Sequence, residues 1–152
     1  MRSLLLFGHL LGFVLWMGGG LAAMMLGIAM RAAPRSNLAL LAELQGRLHR
    51  GLILPGCLLT VLSGLLLTLR LYGGAVSAAG FPVPLMVMQG AGLVAAGIAL
   101  GVVLPTVTRL GRLDPSGEQA PLFAALQKRS ALAGSLVGVL ALVSLIAGAL
   151  IG

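Results

Sequence analysis

Few side chains in this sequence can do chemistry, and the first of them is His9, a little over one helical turn inside an apolar run. Its helical face continues through Gly12, Phe13, Trp16, Gly19, Gly20 and Ala23, at the three- and four-residue spacing that shares one side of a helix. A row of small residues beside a histidine and a tryptophan leaves space for a flat, bulky group. Neutral imidazole is a usual axial ligand of haem, so a b-type haem on His9, with Trp16 as packing neighbour, is the leading expectation. The bland reading of His9 is a hydrogen bond to a neighbouring backbone or a lipid headgroup. Met86 and Met88, beside Gln89, begin a later apolar run at the same side as His9. Histidine with methionine is a known haem pair, and thioether plus imidazole also suits Cu(I), so copper is the second cofactor reading. A chain with no cofactor fits the sequence equally well. Arg70 closes another run, where it either snorkels to headgroups or pairs with an acidic group such as a haem propionate. His49, between Arg47 and Arg50, reads as a solvated or headgroup-facing residue. It stands about ten residues, roughly 15 Å, along the axis from the level of His9. A haem shared by both histidines within one subunit is not expected.

Other chemistries lack their residues. Cys57 is a single cysteine inside an apolar run, which excludes an internal disulfide and cysteine-rich metal motifs. Asp114 and Glu118 fall in a polar connection and Glu43 on an amphipathic stretch, so no apolar run contains an acid. Proton pumps, cation channels and carboxylate-driven transporters need such groups in the membrane. No phosphate-binding glycine loop, nucleophile elbow or zinc signature is present.

The elements that must position these residues are membrane spans. Hydrophobic residues make up 59% of the 152, charged ones only 9%, and the mean hydropathy is +1.12. Soluble chains carry about 25% charged residues, so lipid is the expected solvent. At about 20 residues per span, the length allows four spans in a single all-α domain, an integral membrane four-helix bundle. The spans are expected at about 4–30, 51–71, 84–104 and 131–151. The first run reaches Met30, too long for the apolar part of a signal peptide, and so reads as a span. Ser36-Asn37 offers a helix cap. Leu38, Leu41, Leu44, Leu48 and Leu52 then recur at helical spacing, predicting an amphipathic interfacial stretch that runs into span two. Pro55 is expected to kink that span, and Leu104-Pro105 to end the third. Gly73 to Gly80 reads as a small-residue loop. Gly8/Gly12, Gly97/Gly101, Gly134/Gly138 and Gly148/Gly152 stand four apart and predict smooth faces for close helix packing.

Eight of the ten Lys and Arg residues fall before spans two and four: Arg31, Arg35, Arg47, Arg50, Arg109, Arg112, Lys128 and Arg129. Basic residues favour the cytoplasmic side, so both termini are expected outside, in a bacterial inner membrane. These charges sit at the ends of apolar runs and not in a stripe with aromatics, so the net charge of +7 does not imply nucleic acid.

Gly8-His9-Leu10-Leu11, followed by Trp16-Met17-Gly18-Gly19, resembles the first helix of the HemJ-type protoporphyrinogen oxidases and the CopD-like copper-resistance proteins. Arg47-Leu48-His49-Arg50-Gly51-Leu52-Ile53-Leu54-Pro55-Gly56, with Thr60 and Ser63-Gly64-Leu65, is similar to their second helix. Val103-Leu104-Pro105 and Arg109-Leu110 resemble the end of their third. The resemblance implies a small four-helix membrane protein in which His9 holds haem. HemJ-type enzymes carry a lysine near the start of helix three, where this chain reads Phe81-Pro82-Val83-Pro84. Protoporphyrinogen oxidation, and independent catalysis in general, are therefore not expected. Three functions remain: a haem-binding or redox-associated membrane protein, a non-catalytic accessory subunit of a larger membrane complex or homo-oligomer, and copper handling.

Overall fold

The computed structural model describes residues 2–72 and 82–151, and over these the chain is all-α. Its helices are α1 (Arg2–Ala32), α2 (Arg35–Leu48), α3 (Leu54–Tyr72), α4 (Val83–Ile98), α5 (Leu104–Leu110) and α6 (Ala120–Ala149). Five-residue π turns, His49–Ile53 and Ala99–Val103, join α2 to α3 and α4 to α5 without a break in helical winding. The result is four helices long and apolar enough to cross a membrane: Arg2–Ala32, Arg35–Tyr72, Val83–Leu110 and Gly117–Ala149. The expected 73–80 loop lies outside the described residues.

Span one packs most extensively on span two, and span three on span four, with α1 against α6 and α2 against α5 closing the bundle. The first core gathers Trp16, Ala23, Ile53, Cys57, Ala95, Ala96 and Ala99. A second core, Met30, Ala42, Leu110, Phe123 and Leu126, joins the ends of α1 and α5 to α2 and the start of α6. This second core brings both basic connections to one end of the molecule, called here the basic end.

Several expectations change at the element level. Helix α2 begins at Arg35 after Pro34, and no side chain of Ser36 or Asn37 caps it. Its buried residues are Ala42, Gln45 and Gly46, whereas Leu40 and Leu44 are exposed. Of the expected leucine face, Leu38, Leu41 and Leu48 are half-buried and pack on the two cores, and only Leu44 is exposed. Leucine gains nothing by leaving a lipid solvent, while small residues let helix backbones approach closely. As expected, α2 runs into span two: with α3 it forms one 38-residue helix, about 57 Å long, against about 30 Å of hydrocarbon.

Neither Pro55 nor Pro105 ends its helix. Each follows a π turn built on the same pattern, Gly51-Leu52-Ile53-Leu54-Pro55 and Gly101-Val102-Val103-Leu104-Pro105. Proline lacks an N–H and its ring collides with the carbonyl four residues back. A turn wider by one residue moves that carbonyl aside: the Leu54 N–H bonds the His49 carbonyl, and the Leu104 N–H bonds that of Ala99.

The glycines divide into closed and open. A Cβ on Gly12 would meet the Thr60 nitrogen at 2.7 Å, and one on Gly56 the Trp16 nitrogen at 2.7 Å, so spans one and two touch backbone to backbone. A Cβ on Gly97, Gly101, Gly134 or Gly138 would meet nothing within 4 Å.

Candidate functional site

Most of the buried polar residues follow one stripe of span two: Gln45 and His49, then Cys57, Thr60, Ser63 and Thr68. The extra residue of the π turn shifts the helical register between His49 and Cys57, which keeps both on the inner side. Span one adds His9 and span three adds Gln89.

His9 is half-buried against span two, with Nδ1 donating to the Thr60 carbonyl at 2.8 Å. Because the partner is a carbonyl oxygen, Nδ1 carries the proton and Nε2 the lone pair. The ring rests on Gly64, where a Cβ would come within 2.8 Å of Cε1. Ser63 Oγ lies 3.5 Å from Nδ1 and donates to the Leu59 carbonyl. Farther along, Gln89 Nε2 donates to Thr68 Oγ1, which donates to the Gly64 carbonyl at 3.0 Å. Ser144 of α6 donates to the Met88 carbonyl at 2.8 Å.

Much of the face expected to admit a flat group is taken up by span two. Gly12 is filled by Thr60 and Gly56, a Cβ on Gly19 would meet Ile53 at 2.7 Å, and Trp16 is 3% exposed in the first core. These small residues serve the contact with span two, whereas a Cβ on Gly20 of the same row would meet nothing within 4 Å. The two methionines take different places. Met88 Sδ lies 3.1 Å from the Cβ position of Gly148 on span four, and Met86 is exposed on the outer surface of α4. Arg70 is exposed in the last turn of α3. Of the expected site residues, His9 and Trp16 both meet span two, Met88 meets span four, and Met86 and Arg70 are exposed.

His49 departs from its expected headgroup-facing position. It is 6% exposed, and its Nδ1 donates to the Gln45 carbonyl at 2.8 Å. With Ile53, Cys57, Ala99 and Leu104 it lines a narrow cleft between the two π turns. The Gln45 side-chain Oε1, one turn away, is buried without a hydrogen-bond partner. The sequence held one signal for this placement, a histidine five residues before an intrahelical Leu-Pro. Among the described residues, no three of His, Cys, Asp and Glu cluster as a metal site.

Searches against protein families, curated proteins and solved structures find no match for this chain.

Proposed function

We propose that the chain is a non-catalytic membrane subunit that works by packing against transmembrane helices of a larger complex. The observation that carries this reading is the contrast between its glycines. Gly12 and Gly56 are used up in the contact of spans one and two, whereas Gly97, Gly101, Gly134 and Gly138 stand open on spans three and four. Small residues four apart suit close helix approach in lipid. The fate of the polar groups also favours this reading, since His9, Thr60, Ser63, Thr68, Gln89 and Ser144 all hydrogen-bond within or between helices. The basic end is the cytoplasmic one in this proposal, and the membrane is a bacterial inner membrane.

The test is native electrophoresis of solubilised membranes. The chain is expected to migrate in a heteromeric complex that dissociates in Gly97→Leu and Gly138→Leu variants. Migration as a monomer sinks the proposal, and co-purification of two differently tagged copies without other subunits replaces it with a homo-oligomer.

A second reading, haem or copper on His9, is favoured by one feature: donation from Nδ1 to a backbone carbonyl is the arrangement that orients Nε2 of a ligating histidine. Absorption spectra of the oxidised and reduced protein, with metal analysis, decide it. A stoichiometric haem or copper lost in His9→Ala establishes this reading, and a featureless, metal-free sample removes it.

A further inference from the structure

At the basic end, a cavity of about 210 Å³ opens between α2 and α5, lined by Glu43, Gly46, Arg50, Thr108, Gly111 and Arg112 among others. Two glycines hold it open. Gly46 has the Arg50 guanidinium 3.3 Å from its Cβ position, and Gly111 faces the Ala42 carbonyl and Glu43. The guanidinium is thus folded back over α2 toward the cavity. Arg50 and Arg112 make no ion pair with a carboxylate among the described residues. Glu43 is the one acid at the rim, and it is held by Arg47 Nη2 at 2.6 Å. The Thr108 hydroxyl is committed to the Leu104 carbonyl at 2.8 Å, so the donors left for a ligand are the two guanidiniums.

Height in the membrane selects the ligand. Arg50 and Arg70 flank a stretch of span two without a charged residue. Their separation of 20 residues corresponds to about 30 Å of helix, the thickness of a hydrocarbon core. If Arg70 marks one boundary, Arg50 marks the other, and the cavity opens at headgroup level. Guanidinium recognises phosphate bidentately, and basic pockets between transmembrane helices take anionic headgroups.

We propose that the cleft between α2 and α5 binds the phosphate of an anionic membrane lipid between Arg50 and Arg112. The site is independent of whether the chain is a subunit or a cofactor protein.

Native mass spectrometry of the full chain in detergent, with added phosphatidylglycerol or phosphatidylcholine, tests it. Wild type is expected to retain phosphatidylglycerol in preference to phosphatidylcholine. Retention in Arg50→Gln/Arg112→Gln should fall at least about tenfold below that of Arg31→Gln/Arg35→Gln, which removes equal charge from the same end. Gly46→Ala keeps every charge but crowds the Arg50 guanidinium, and should also weaken retention. Equal loss in both double variants, with Gly46→Ala behaving as wild type, overturns the site in favour of general charge attraction. Thermal protection by inorganic phosphate without preference for phosphatidylglycerol overturns the lipid assignment and leaves a site for the free anion.

Discussion

At the scale of single residues, His9 is a hydrogen-bonding group between helices whatever else it binds. A hydrogen bond across helices in lipid contributes about 0.6 to 2 kcal/mol. His9→Ala removes the bond to Thr60 and the ring seated on Gly64, so unfolding in mixed micelles should show a loss of about 1 to 3 kcal/mol. No loss would mean that the imidazole is free in the folded protein. Asp114 offers a second test, in the exposed turn at the basic end. The hydroxyl and backbone N–H of Ser116 both donate to its carboxylate and hold its pKa below the ordinary range. For a lowered pKa the sign is fixed: the turn keeps this support above the ordinary carboxylate pKa and loses it as pH falls through the lowered value. Ser116→Ala should raise the Asp114 pKa toward the ordinary value in a carboxyl-carbon NMR titration. An unchanged titration would show that the hydroxyl does not bind the carboxylate in solution.

At the scale of elements, the contact of spans one and two should be the least tolerant part of the bundle. A side chain on Gly56 collides with the backbone of Trp16 and Gly12, and overpacking of this kind costs about 1 to 3 kcal/mol. Gly56→Leu should therefore lower the thermal midpoint of the purified chain, while Gly97→Leu, in open space, should leave it near wild type. Equal effects would contradict the packing described. The existence of four apolar helices was legible in the sequence because run length and scarcity of charge suffice for that. Their inner faces were legible only in part. Leu38, Leu41, Leu44, Leu48 and Leu52 mark a helical period, but in lipid apolarity does not distinguish core from surface. Ala42, Gln45, Gly46 and His49 are buried most deeply, with Leu38, Leu41 and Leu48 half-buried beside them and Leu44 exposed. His9 was readable as a polar group in the membrane, with a backbone bond as its bland role. That the row from Gly12 to Gly19 would be filled by span two depended on helix rotation, which a single sequence does not carry. The π turns were missed because proline was read as a kink, although the repeat of Gly-x-x-Leu-Pro was present in the letters.

At the scale of the whole molecule, one end differs from the other. Helix α2 and the first turns of α6 extend past the apolar part of their spans and meet in the second core, surrounded by arginines and lysine. With that end in the cytoplasm, a cysteine at Glu118 in a Cys57→Ala background should resist membrane-impermeant maleimide in intact cells. It should react once the membrane is opened. Reaction in intact cells would invert the topology, and with it the expected position of both termini.

The two π turns have a consequence in time as well as in space. Residues of both line the same narrow cleft, so the irregular hydrogen bonding of spans two and three is concentrated in one zone near the basic end. Carbonyls displaced by Pro55 and Pro105 have no proline N–H to hold them, and local opening begins where backbone bonds are fewest. In a deuterium-exchange time course, the amides of Leu52 to Leu54 and Val102 to Leu104 should exchange before those around Thr60 and Ala95. The bundle would then breathe at a shared waist, with the half away from the basic end staying shut.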